Sequence, residues 1–251
     1  MFNRQRNVAR PIVTWCTVAS CVFIAALTGC GGAEFGQDPR VPVSERHILA
    51  AGSPAGASLS LPTDRPFNIH VKQSSQDQGP AGKATSEADA TTDGKAFARA
   101  NASQGGSAKA EFKIGHRIDN TTATTQTLSA DISFNLRQEI TATDVPAPAT
   151  VAKADLVLVV IDSHRRAVSK TIVVQGTSDD ASGQASIPQQ RHLTVRLEPG
   201  ESYDVVLFGT VDAAASESQQ SAAKLEIDSL KMALSFAPTA TQPAATPSPA
   251  K

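Results

Sequence analysis

The sequence predicts an all-β chain, an antiparallel two-sheet β-sandwich of jelly-roll or immunoglobulin-like type. Two observations carry this. Apolar residues recur at period 2 in segment after segment, and no full window keeps a helical period. Hydrophobic residues make up 40% of the chain and charged ones 19%, enough for a core built from Val, Ile, Leu, Ala and Phe.

Taken in order, Pro66 to Lys72 and the alanine-rich Lys95 to Ser103 read as strands. Ala108, Ala110, Phe112, Ile114, His116 and Ile118 then share one face, opposite Lys109, Glu111, Lys113, Arg117 and Asp119. Leu128, Ala130, Ile132, Phe134 and Leu136 repeat the device, and the Asp119–Thr125 link predicts a hairpin between the two segments. Leu156 to Ile161 is continuously apolar, as a strand covered on both faces would be, and pairs in this reading with Ile172–Val174 across Asp162–Ser169. Leu193, Val195 and Leu197 alternate up to Glu198-Pro199-Gly200-Glu201, which places Pro and Gly where a type II turn wants them; Tyr203, Val205, Leu207 and Val211 return on one face. In the last segment Leu225 and Ile227 are followed by Leu230, Met232, Leu234 and Phe236. The parity slips by one at Asp228-Ser229, which predicts a β-bulge. The total is about nine strands. The polar stretch Gln73–Gly94 reads as a long surface loop, and Gly176–Gln190 as a second one.

The N-terminus carries a different signal. Arg4, Arg6 and Arg10 precede an apolar run from Ile12 to Leu27, which ends in Leu27-Thr28-Gly29-Cys30. The run is too short and interrupted to span a bilayer, and reads as an export signal. Leu-Thr-Gly-Cys resembles the lipobox of bacterial lipoproteins. That resemblance implies cleavage between Gly29 and Cys30, a diacylglycerol on the Cys30 thiol and acylation of the new amine. The same resemblance implies an outer-membrane destination, since Gly31 stands where an Asp in that family signals inner-membrane retention, with the lipid on Cys30 as the contact with the membrane. Val18-Ala19-Ser20-Cys21 fits the same loose pattern, but its preceding apolar run of about six residues is shorter than a usual h-region.

These boundaries divide the chain into residues 1–29 (signal), 30–64 (a flexible tether, rich in Gly, Ala, Pro and Ser), 65–237 (the sandwich) and 238–251 (a disordered Pro/Ala/Thr tail). Within the tether only Ser44–Ala50 has a pattern that could pair or coil. Cys16 and Cys21 leave with the signal and Cys30 takes lipid, so the mature domain has no thiol for a disulfide, a redox pair or a metal. The mature part of the chain resembles the uncharacterised exported β-sandwich proteins of bacteria in Ile114–Thr122 and Leu197–Tyr203. That likeness implies fold class and assigns no chemistry.

Function classes can be pruned. The mature region carries 20 Lys and Arg against 24 acidic residues, a net charge of −4, which disfavours nucleic acid. No nucleophile elbow, phosphate-binding loop, zinc-protease motif or dinucleotide fingerprint occurs. The five histidines are scattered. His116 stands out because parity puts it on an apolar face; it reads as a hydrogen-bonded histidine near the sandwich edge, with a ligand or pH-sensitive role as the alternative. Asp119-Asn120, Asp162, Asp179 and Asp180 offer oxygens on loops, but too few in one place for calcium, and read as turn residues. His164-Arg165-Arg166 is a short basic cluster at a turn. The lone Trp15 lies in the signal and Tyr203 faces the core, so no aromatic platform for stacking on sugars is evident. The expectation is a non-catalytic envelope lipoprotein, without cofactor or metal, that contacts an envelope or surface protein. The alternative is a ligand-carrying or hydrolytic sandwich with His116, Asp119 and Asp179 at one end.

Overall fold

The structure, a computed structural model, describes residues 41–50, 56–143, 151–177 and 186–239. Alternation has produced twelve strands among them: β1 (His47–Leu49), β2 (Ser58–Leu61), β3 (Ile69–Asp77), β4 (Lys83–Ala90), β5 (Ala96–Ser103), β6 (Ser107–Asn120), β7 (Gln126–Ala142), β8 (Val151–Asp162), β9 (Ala167–Thr177), β10 (Ile187–Leu197), β11 (Ser202–Ala214) and β12 (Gln220–Pro238). A short 3-10 turn, Val43–Glu45, precedes them. Cys30, Asp179, Asp180 and residues 240–251 lie outside the described residues.

Eight strands form a jelly roll. The pairings β8–β9, β7–β10, β6–β11 and β5–β12 are those of one long antiparallel hairpin folded over on itself, with its apex at the β8–β9 turn. Successive pairs fall alternately in two sheets, β6-β11-β8-β9 and β10-β7-β12-β5. The predicted hairpin between Ala108–Ile118 and Leu128–Leu136 is therefore corrected, because β6 and β7 lie in opposite sheets and Asp119–Thr125 crosses between them. The Glu198–Glu201 turn also crosses between sheets, with Gly200 at φ +76° and the Glu201 N–H donating to Glu198 O at 3.4 Å. The β8–β9 hairpin is as expected. So is the bulge, where Ser229 at φ +59° sits in the register shift between Asp228 and Lys231.

Two expectations fail at the edges of the jelly roll. Gln73–Gly94 is not one loop, since Gln73–Asp77 completes β3 and Lys83–Ala90 is β4. Likewise the span 30–64 is not all tether: β1, within the Ser44–Ala50 stretch whose pattern could pair, pairs in parallel with β6, β2 pairs with β12, and Val41, Leu49, Leu59 and Leu61 are buried. All four strands flank the jelly roll as edge pieces. In β3 and β4 most side chains are polar and the strand is held largely by its ladder, while β1 and β2 are too short, at three and four residues, for their alternation to register as a strand pattern. Smaller corrections apply at the other ends: Gly176–Thr177 and Ile187–Gln190 are strand, and β12 runs on through Pro238.

The edge pieces leave gaps that side chains and turns close. Along β6 the β3 ladder ends at Gly115 and the β1 ladder begins at Ile118. The Arg117 N–H between them donates to Asn68 Oδ1 at 2.9 Å, and Asn68 Nδ2 donates to Glu45 O at 2.8 Å. On β12, β5 gives way to β2 across the bulge. There the Leu230 N–H donates to Gly94 O at 3.1 Å, and Gly94, at φ +96°, comes so close that an added Cβ would lie 2.7 Å from Leu230 O. Each repair satisfies a buried donor that the ladder abandons.

Between the sheets the lining changes along the strands. Ala102, Ala108, Ala152, Ala213 and Ala223 occupy one end; Phe67, Ile118, Leu128, Leu197 and Phe236 occupy the other. Interiors keep a uniform packing density, so the sheets must converge toward the alanine end. In mid-core Phe112 lies directly over Gly209, its partner on β11. Gly209→Ala should lower stability by about 2 kcal/mol in urea unfolding, because the new methyl overlaps the Phe112 ring and crowds Leu225. An unchanged midpoint would show that the ring has room to move. On the outside of the β11 sheet a second cluster forms from Val41, Ile69, Val159, Ile161 and Val206, which explains why Leu156–Ile161 is apolar without alternation.

Candidate functional site

The residues singled out by sequence do not converge. His116 is fully buried and faces inward, whereas Asp119 belongs to the opposite face of the same strand, with Arg46 Nη1 at 3.6 Å from its Oδ2. The grouping of His116 with Asp119 that the alternative reading requires is thus not formed; odd and even positions of one strand point apart.

His116 Nε2 accepts from Asn68 Nδ2 at 3.5 Å, and the Pro66 backbone also contributes a hydrogen bond to the ring. Burial, then the neighbouring His47 and Arg65, push its pKa down to about 4. His47, stacked on Phe236 with ring centroids 5.2 Å apart, is also held below the usual histidine range by burial and Arg65. Two neutral rings thus fill the seam between the sheets beside β1.

Two of the oxygen-bearing turn residues, Asp162 and Asn120, are occupied. Asp162 Oδ1 accepts from the N–H groups of His164 (2.9 Å) and Arg166 (2.8 Å), and Oδ2 accepts from Arg166 Nε at 2.8 Å. Burial works to raise its pKa, yet these bonds hold the carboxyl below its ordinary value. Asn120 Nδ2 donates to Leu197 O at 2.9 Å and its Oδ1 accepts from Thr122, which fixes the crossover into β7. The basic turn is neutralised in place: Arg166 lies 2.7 Å from Asp162, His164 3.7 Å from Glu201 and Arg165 3.9 Å from Asp204. Among the described residues no group of three His, Cys, Asp or Glu is placed to hold a metal ion.

A different feature emerges on the outer face of the β12 sheet. Three hollows open there, and β12 lines each of them. The first, about 380 Å³, lies around Thr85, Asn101, Ser103, Thr141, Gln220 and Ala222. The second, about 320 Å³, is lined by Asp89, Thr91, Phe97, Glu226 and Asp228. The third and largest, about 620 Å³, has Ser133 and Ala233 in its floor, Ser60 and Thr63 on one wall and Gln190 and His192 on the other. These hollows open where outward positions of neighbouring strands carry short side chains, such as Ser60 on β2, Ser133 on β7 and Ala222 and Ala233 on β12. Each strand in isolation reads as an ordinary polar face; only register places the small residues side by side.

Three basic residues of this face have a carboxylate close by, and the hollows themselves are lined by Lys83, Lys95, Arg191 and Lys231 as well as by Asp89, Asp131, Glu226 and Asp228. Lys224 lies 2.7 Å from Glu226, Arg137 3.0 Å from Glu139 and Arg99 3.9 Å from Glu87. The Lys224 hydrogen bond holds the Glu226 carboxyl below its usual range. Phe97, the aromatic residue of the second hollow, has the Arg99 guanidinium 4.7 Å above its ring. In the third hollow His192 Nδ1 lies 2.8 Å from Asp131 Oδ1, and its Nε2 lies 3.2 Å from Thr194 Oγ1. This order of groups resembles an acid–base relay, but the His192 and Asp131 side chains are 59% and 76% exposed. Water competes for both groups there, so they lack the dry, preorganised setting that such a relay requires.

No family model and no curated protein matches the chain. Among solved structures it is similar to TmCBM61 in complex with β-1,4-galactotriose, at 13% identity and a TM-score of 0.28 over 64% of this chain and 86% of that one. A family 11 carbohydrate-binding module from Clostridium thermocellum, in complex with a mixed-linked tetrasaccharide, aligns at 11% identity and a TM-score of 0.22 over 72% of this chain and 96% of that one. The structure of infectious bursal disease virus, Gx strain, aligns at 11% identity and a TM-score of 0.23, over 74% of this chain but only 37% of that one. The jelly-roll assignment rests on the strand pairings themselves.

Proposed function

We propose that this chain is an exported lipoprotein, anchored through Cys30 to the bacterial outer membrane, and that its jelly roll is a non-catalytic binding domain. The observation that carries the binding role is the alignment of three hollows along one strand on one face. The anchor reading is supported by Leu27-Thr28-Gly29-Cys30 behind a basic, apolar leader. The β9 edge is less suited to the task. β9 is broken by register shifts at Leu156/Val157 and Val160/Ile161, and bulges of this kind blunt an edge against pairing with a further strand.

A photoreactive residue at Ala233, in the floor of the largest hollow, should capture envelope material in intact cells expressing the full chain. The same residue at Val168 on the bulged edge should capture little. In the Cys30→Ser chain, palmitate labelling and membrane sedimentation should both be lost. Equal capture at both positions would remove the β12 face as the binding surface; labelling that survives Cys30→Ser would remove the anchor.

A further inference from the structure

We infer that the β12 face binds an uncharged, hydroxyl-rich polysaccharide strand through hydrogen bonds; this rests on the proposed use of that face. Shape is the first argument. The hollows are lined in turn by Gln220–Ala222, Glu226–Asp228 and Lys231–Ala233, a run of roughly 40 Å at the rise of a β-strand. A line of shallow, open hollows suits an extended polymer better than a compact metabolite, which a deep enclosed pocket would surround.

Chemistry is the second argument. Hydroxyls (Ser60, Thr63, Ser133) and the Gln190 amide ring the largest hollow, and Thr85, Asn101, Ser103 and Gln220 do the same at the first. Hydroxyl and amide groups each donate and accept, which matches the dual character of sugar hydroxyls. Apolar anchoring is scarce, and the Phe97 ring has the Arg99 guanidinium over it, so recognition falls to polar contacts.

Charge is the third. A polyanion needs a surplus of Lys and Arg, but Lys224, Arg137 and Arg99 are each matched by a carboxylate on the same or a neighbouring strand, and in the lining of the hollows Lys83, Lys95, Arg191 and Lys231 are balanced in number by Asp89, Asp131, Glu226 and Asp228. A peptide in extended form binds by extending a sheet at its edge, whereas the hollows open on a face whose backbone groups are engaged in the ladders of β12 with β7, β5 and β2. An uncharged polyol chain fits both constraints.

The test is affinity electrophoresis of the full lipidated chain in detergent, through gels containing dextran, starch or galactomannan, with heparin as the polyanion. At least one neutral polysaccharide should retard the protein, and high salt should leave the retardation unchanged, since few charges are involved. Gln190→Ala and Asp131→Ala should each weaken it, together by about tenfold in dissociation constant. Ala233→Trp, which fills the hollow from an exposed position, should abolish it at unchanged melting temperature. Retardation by heparin alone, by none of the gels, or equally in all variants would overturn the inference. If photocapture at Ala233 then yields a protein, the binding face stands and only its occupant is wrong; if it yields nothing, both fall.

Discussion

Asp204→Ala should destabilise the protein by about 4 kcal/mol, more than any surface substitution would. The β11–β6 register sets Asp204 directly opposite Arg117 on the outer face of their sheet. Arg117 Nε and Nη2 donate to the two carboxylate oxygens at 2.6 and 2.7 Å, with side-chain exposures of 11% and 6%. Val206, the next outward residue of β11, belongs to the apolar cluster that includes Val41, so the pair sits beside a dry layer. Removing the carboxylate takes both of these charge-assisted hydrogen bonds from a guanidinium that stays buried, and the cost of burying that charge with less compensation, rather than the pair's own attraction, sets the size of the loss. Arg117→Met with Asp204→Leu should therefore recover most of it. Urea unfolding of the single and double variants checks both statements. A loss below about 1 kcal/mol for Asp204→Ala would place the pair in the weak, solvated class.

Acid should cost about 3 kcal/mol between pH 6.5 and 4 through His116 alone. The folded protein holds this imidazole neutral to about pH 4, while the unfolded chain protonates it near 6.5. Above pH 6.5 neither state carries the proton and the stability is complete. As pH falls below 6.5 the unfolded state gains a proton that the folded state refuses, so stability declines until the folded ring titrates near 4. Burial and the groups facing the ring explain the refusal: His47 from β1 and Arg65 from the link after β2 are cationic or become so, Asn68 is neutral, and a hydrogen bond with the Pro66 backbone offsets only part of this. His47, depressed in the same direction, adds to the slope. Burial raises Asp155 and Asp212, which contribute with the opposite sign in the acid range. The measurement is consequently a difference: stability against pH for wild type minus that for His116→Phe, or for His116→Leu should the larger ring not fit. A difference curve that is flat from 6.5 to 4 would refute the assignment.

Both effects arise from residues whose strand and face are legible in the sequence. Parity alone placed His116 inside, set Arg117 and Asp119 on the other face and turned Tyr203 toward the core, where it is 3% exposed and its hydroxyl accepts from the Glu198 N–H at 2.8 Å. The slip at Asp228-Ser229 gave away the bulge, because a shift of one position reverses every later side chain unless the backbone absorbs it. Nothing in these patterns revealed that Arg117 would meet Asp204, a partner 87 residues away, or that Asn68 would cap the gap in the β6 ladder. The hollows were hidden for the same reason. Ser133 and Ala233 are ordinary in their own strands, and become a floor only when β7 and β12 lie side by side.

What the sequence by itself determined is therefore local: where strands run, which residues face the core, where turns and the bulge fall. Period 2 is a property of single strands, enforced wherever one face is buried. Tertiary structure alone decided strand order, the sheet each crossover enters, the docking of the polar edge strands and the line of hollows along β12. Those depend on pairings between distant segments, and hydrogen bonding between backbones is nearly blind to side-chain identity. Only the simultaneous burial of all the apolar faces selects one arrangement among the many that alternation permits.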